Sequence, residues 1–258
     1  MNALVATLRY VLITALRDRM IAAILLAQVA ALGGASLMAA SALAEGRAMG
    51  LTMAGEAFRI IMVLGIITFI SFHTRRMEET REIEAILARP ISRGSFVVAY
   101  FTAYGGIGIG LALVATPLLA LGFGAWGWGL AVWQASLMLE CLIVVAIALF
   151  CALSLPSATA SVLAGVGLYL LCRMAAFFRA VAEAHTGVLG NPALDKVAHW
   201  VVEILAAAVP RLDLFGQGQW LVYGPGGAWG LKELLLQTVV IVSLLLLATV
   251  RDMLIRRF

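Results

Sequence analysis

The stretch LAVWQASLMLECLIVVAIALFCALSLPSATASVLAGVGLYLLC, Leu130 to Cys172, decides the fold class: it is 43 residues long and carries one charge, Glu140. As a single helix it would extend about 65 Å, roughly twice the hydrocarbon thickness of a bilayer. It therefore reads as two membrane-crossing helices. The segment SLPSATAS, Ser154 to Ser161, provides the break, because Pro156 lacks the backbone donor that a helix interior needs. Membrane strands would appear as segments of about ten residues with alternating polarity. The apolar runs here are continuous, which favours helices.

Outward from this stretch the same pattern holds. The chain is 63% hydrophobic and only 12% charged, with a mean hydropathy of +1.03, against about 25% charge in soluble domains. No charged residue falls between Arg93 and Glu140. Further spans are expected at about Met20–Ala44, Phe58–Phe72, Val97–Gly122 and Glu233–Val250. SALAE, Ser41 to Glu45, has the small residues of a signal-peptide cleavage site, but the apolar stretch before it exceeds the usual 7–15-residue core. It reads as a retained span.

The connections complete the expected architecture. MNALVATLRYVLITALRDR, residues 1–19, places Leu4, Leu8, Val11, Leu12 and Leu16 at helical spacing and reads as an interfacial amphipathic helix. A polar loop with Glu45, Arg47 and Glu56 precedes the second span. Trp126 and Trp128, in GAWGWG, suit a membrane interface. Residues 179–232 form an outer segment, in which AHWVVEILAAAV, Ala198 to Val209, is short enough to be an interfacial or re-entrant helix. The expectation is one all-α integral membrane domain over residues 1–258, with six transmembrane helices and both termini on one side. That side holds eleven of the 18 basic residues, which marks it as cytoplasmic.

Charge is concentrated in one place. Nine of the 32 charged residues lie between Arg75 and Arg93, in the link between the second and third spans. As a helix, this stretch lines Met77, Thr80, Ile83 and Leu87 along one face and stops at Pro90. It is either a solvated cytoplasmic helix that anchors orientation or an amphipathic surface that docks in a partner's groove.

Glu140 lies well inside the fourth span, where a carboxylate is expensive and a functional role is the usual reading. Arg173, on the next antiparallel helix, is its candidate partner. The pair either holds two helices together or lines a pathway. Other chemistry is thinly represented. His73, His185 and His199 lack metal-ligand spacing, and Cys141, Cys151 and Cys172 sit in apolar runs without CxxC spacing. GGIGIG, Gly105 to Gly110, misses the dinucleotide pattern, and Gly106 and Gly110 fit close helix packing instead. There is no basic run of the length that nucleic acid needs. No GxSxG or paired-carboxylate motif points to an enzyme.

REIEAILARPISRGSFVVAYF, from Arg81, resembles the link after the second span in permeases of the ABC-2 type transporter family, which show an acidic residue, an apolar pair, then P-[IL]-S-R and a span. LRDR before the first span, PRLDLFGQGQWLVYG (Pro210 to Gly224) and the terminal RRF agree in order. The resemblance implies a membrane subunit without ATPase activity of its own, acting as an exporter in a bacterial cytoplasmic membrane. Two permease copies, identical or related, would form the pathway, and two ATP-binding subunits would dock below and hold ATP and Mg. Arg81, Glu82, Ile83, Glu84, Leu87, Pro90, Ser92 and Arg93 would form the docking site, and residues 75–93 the coupling helix. The sequence independently agrees on the ATPase: its two lysines, Lys196 and Lys232, do not follow the GxxxxG of a P-loop. The alternative is a proton- or ion-coupled secondary transporter using Glu140. A membrane scaffold without transport is the third class.

Overall fold

The computed structural model describes residues 9–14, 17–80, 92–183, 200, 203, 210–225 and 230–255. Among these the chain is helical and contains no strand. The long helices are α1 (Arg19–Ser41), α2 (Gly46–Glu79), α3 (Arg93–Phe123), α4 (Trp128–Ser154) and α8 (Leu231–Ile255). All five are long and apolar enough to cross a membrane, so the molecule is a multi-pass, all-α membrane protein. The shorter helices are α5 (Ala158–Arg173), α6 (Ala175–Glu183) and α7 (Trp220–Tyr223), with a 3-10 turn at Leu212–Leu214.

Residues 130–172 do divide into two helices at the expected break, although only the first is long enough to count among the five crossing helices. α4 ends at Ser154, and α5 opens with the Ser157 hydroxyl accepting a hydrogen bond from the Ala160 amide at 3.2 Å. Ser161 Oγ donates to the Cys151 carbonyl at 3.0 Å and pins the hairpin. α5 has 16 residues, about 24 Å of helix, and a turn at Met174 separates it from α6.

α4 is the central helix, packed against α2, α3, α5, α7 and α8. Its sequence is apolar on every side, which suits a helix surrounded by others. Trp133, Leu137, Ile143, Val144, Val145 and Leu149 are fully buried along it. α1 and α8 are peripheral and bury one face each. Ile24 and Leu32 of α1 seat against Gly65 of α2 and Gly122 of α3, where an added Cβ would meet the leucine or isoleucine side chain at 2.8 and 2.6 Å respectively. Small residues at such contacts let helices approach in a bilayer, where dispersion replaces the hydrophobic effect. Across α3 and α4, Thr116 Oγ1 donates to Gln134 Oε1 at 2.6 Å, and Gln134 Nε2 donates to the Ala112 carbonyl at 3.0 Å.

Three expectations change. α2 is 34 residues long, about 51 Å, so Arg47 and Glu56 lie on a helix instead of in a loop. Its other end absorbs Arg75 to Glu79, which continue the second helix up to a cap at Thr80. Among the described residues Gly106 and Gly110 do not mediate packing: both are exposed with no neighbour within 4 Å, while Gly108 meets Ile66 and Val145. Residues 1–8 of the expected interfacial helix lie outside the described residues; 9–14 are helical, and Asp18 caps α1. Of Ala198–Val209, only Trp200 and Glu203 are described.

Candidate functional site

Three helices bring six polar side chains into the apolar bundle. Glu56 and Arg59 are three residues apart on α2, Ser136 and Glu140 four apart on α4, and Tyr169 and Arg173 four apart on α5. Each pair therefore shares a helix face, and the three faces converge.

Glu140 is the hub. Its Oε2 accepts from Arg59 Nη1, with side-chain exposures of 0% and 1% for the two partners. Tyr169 donates its hydroxyl to Oε1 at 2.9 Å, and Arg173 Nη1 lies 3.7 Å from the same oxygen. Arg59 Nη2 donates to Ser136 Oγ at 3.3 Å, and its guanidinium carbon stands 5.5 Å from the Trp133 ring centroid, a cation–π distance. Arg173 Nη2 pairs with Glu56 Oε2 at 3.3 Å. Two arginines thus match two glutamates, and the cluster is formally neutral. That balance explains how the buried Arg59 and Glu140 tolerate the interior beside the partly exposed Arg173 and Glu56, since an unmatched buried charge is strongly destabilising.

The cluster also holds the segment before the last helix. Arg173 Nη1 donates to the Leu212 carbonyl at 3.2 Å, and Nη2 lies 3.5 Å from that of Gly216. Ser136 Oγ lies 3.1 Å from the Phe215 carbonyl. Leu212, Phe215 and Trp220 are buried. A Cβ at position 216 would overlap the Arg173 guanidinium, so a side chain there would displace either the arginine or the segment. The segment folds back into the bundle between α2, α4 and α5.

The Glu140–Arg173 pairing expected from sequence is present, but the closest partner is Arg59, which the sequence reading did not single out. Its signal was available: a lone arginine one turn after Glu56, inside an otherwise apolar run. Tyr169 was not singled out either, and Glu56 was read as a loop residue.

Arg81, Glu82, Ile83, Glu84, Leu87 and Pro90 lie outside the described residues. Their described flanks are at the opposite end of the bundle. Arg75 pairs with Glu78 at 2.8 Å and with Glu79 at 3.3 Å, and Arg76 lies 3.8 Å from Asp18 at the start of α1. Ser92 caps α3 by accepting from the Ser95 amide at 3.1 Å. Arg93 donates to the Met253 carbonyl near the end of α8. His73 is buried beside Phe69 and Tyr104, with ring centroids 5.3 and 5.9 Å away. Among the described residues, no group of three or more His, Cys, Asp or Glu side chains could hold a metal ion. Comparison with protein-family models and with curated proteins found no match for this chain.

Proposed function

We propose that this chain is the permease subunit of an ABC-2 type transporter, which forms a membrane pathway and is driven by ATP hydrolysis in a separate subunit. The observation that carries the reading is the stretch REIEAILARPISR, residues 81–93, set between two long apolar helices and flanked by side-chain ties to two others. Arg76 reaches Asp18 of the α1 cap, and Arg93 reaches the Met253 carbonyl of α8. A partner that pushes this link would move α1 and α8, the peripheral helices, along with α2 and α3. Docking is assigned to Arg81, Glu82, Ile83, Glu84, Leu87, Pro90, Ser92 and Arg93.

In this reading α5 is the sixth span, and the link and both termini face the cytoplasm of a bacterial cell. Two permeases work with two ATP-binding subunits in export, and ATP-driven association of those subunits tilts the spans. The proton-coupled alternative depends on Glu140. Both of its carboxylate oxygens are engaged by side chains of this chain, and the residue is fully buried, so a role in tying helices together fits it better than a relay.

The test is affinity purification of the tagged chain from its host in detergent, alongside a Glu84→Lys/Leu87→Asp variant. Recovery of an ATP-binding subunit with the native chain and its loss from the variant is the expected result. Absence of any ATPase from both would overturn the reading.

A further inference from the structure

At the end of the bundle away from the 75–93 stretch, three connections surround a cleft of about 620 Å³. This is a size typical of small-molecule sites. The start of α2 contributes Glu45, its N-cap, and Arg47, the α3–α4 link Trp126 and the start of α4 Trp128, and α7 Trp220 and Tyr223. Trp126, Trp128 and Tyr223 are each more than 70% exposed.

The backbone around this cleft is unusual. Every positive-φ residue among the described residues lies on or beside it: Glu45 at 52°, Gly124 at 62°, Gly127 at 128° and Gly224 at 76°. Glu45 is the sole non-glycine among them, a left-handed conformation that strains most side chains. It precedes α2, yet its carboxylate does not cap that helix and forms no hydrogen bond or ion pair among the described residues. A membrane-interface belt accounts for aromatic residues at this level. It does not account for a strained, unpartnered carboxylate on the same cleft, and strain of this kind gathers at functional sites.

The lining discriminates between ligand classes. Arg47 donates Nε to the Phe123 carbonyl at 2.8 Å and Nη2 to the Gly124 carbonyl at 2.7 Å, so its charge is committed to the negative end of α3. Glu45 is then the lining charge without a hydrogen-bond or ion-pair partner among the described residues, and it shares the cleft with three exposed aromatic side chains. A sugar would need several planar polar side chains to satisfy its hydroxyls. A methylated ammonium needs no hydrogen bonds, only ring faces and an opposing charge. We propose that the cleft binds a quaternary ammonium cation, with Trp126, Trp128 and Tyr223 against its methyl groups and Glu45 opposite its charge. This cation comes either as a free solute or as the headgroup of a zwitterionic lipid.

The inference stands apart from the transporter reading, because the measurement uses this chain alone. Choline and its uncharged isostere, in which tert-butyl replaces trimethylammonium, are titrated calorimetrically into the full-length protein in maltoside detergent. Choline is expected to bind at least about tenfold more tightly than the isostere, a difference within the range of cation–π and charge contributions. Glu45→Gln should erase that preference, and Trp128→Leu should weaken both ligands, with thermal unfolding confirming that each variant is folded. No binding of choline, equal binding of the isostere, or an unchanged preference in Glu45→Gln overturns the proposal, as does binding of a methyl glucoside in its place. Nanodiscs then identify the source. Loss of choline binding only in phosphatidylcholine discs assigns the lipid headgroup, binding in both phosphatidylcholine and phosphatidylglycerol discs assigns the free solute, and loss in both overturns the site.

Discussion

Arg59 on α2 and Glu140 on α4 pair 81 residues apart in sequence, with side chains 1% and 0% exposed. Around them, Tyr169 and Arg173 face the other Glu140 oxygen and Ser136 accepts from Arg59 Nη2, while Arg59 Nε has no hydrogen-bond partner among the described residues. The cluster therefore joins the central helix to α2 and α5 and, through Arg173, to the segment before α8.

Glu140→Gln removes the anion but leaves Arg59 buried. Breaking one side of a buried pair costs about 3–5 kcal/mol in soluble proteins, and somewhat less is expected here because polar contacts within membranes average smaller values. Thermal unfolding in detergent should show a clear fall for Glu140→Gln. The double variant Arg59→Met/Glu140→Leu, which removes both charges, should recover most of the loss. A double variant no better than the single one would mean that the pair matters for its shape and not for charge balance.

Gly216→Ala tests how the segment before α8 is held. Its methyl group would overlap the Arg173 guanidinium, so either the arginine leaves the Leu212 and Gly216 carbonyls or the segment lifts. Amide exchange across 210–224 should rise by at least about tenfold, while the Cys151–Ser161 hairpin, anchored separately, keeps its protection. Gly218→Ala is the milder control: its Cβ would lie 3.1 Å from Glu56 Oε1, a tight contact with a flexible side chain.

The legibility of this molecule follows where its charges end up. Residues 130–172 were readable as a helical hairpin because one charge and one proline stood out in an apolar run. The start of α2 was not. Arg47 and Glu56 look like loop residues by composition, but Arg47 is neutralised by the carbonyls ending α3 and Glu56 by Arg173. Those partners lie 76 and 117 residues away, beyond any local pattern. Arg59 was overlooked although its spacing from Glu56 was visible, because its significance appears only when α4 is laid beside it. Gly106 and Gly110 have the spacing of a packing motif, yet spacing does not say which face of α3 turns inward; the face with Gly108 does. The docking residues 81–90 remain a reading of the sequence.

Asp18→Ala should loosen the start of α1. The Asp18 side chain accepts from the Met20 amide at 3.0 Å and stands 3.8 Å from Arg76. Loss of such a cap costs typically about 1 kcal/mol, and the exposed ion pair adds little. Faster exchange confined to the first turn of α1 is the expected readout. Asp18→Asn retains the cap and removes the charge, so a normal first turn in that variant isolates the capping contribution.

The proposed orientation is testable with thiols. Cys141, Cys151 and Cys172 are all buried, so the native chain should react poorly with a membrane-impermeant maleimide until it is unfolded. Trp126, at the aromatic end, and Ser92, at the cap of α3, are both exposed and lie at opposite ends of α3. In intact cells Trp126→Cys should label readily, whereas Ser92→Cys should label only after permeabilisation. The reverse pattern would invert the chain in the membrane and put the 75–93 stretch on the side without ATP. The same variants would then count against the permease reading, while leaving the helical bundle and its Arg59–Glu140 pair untouched.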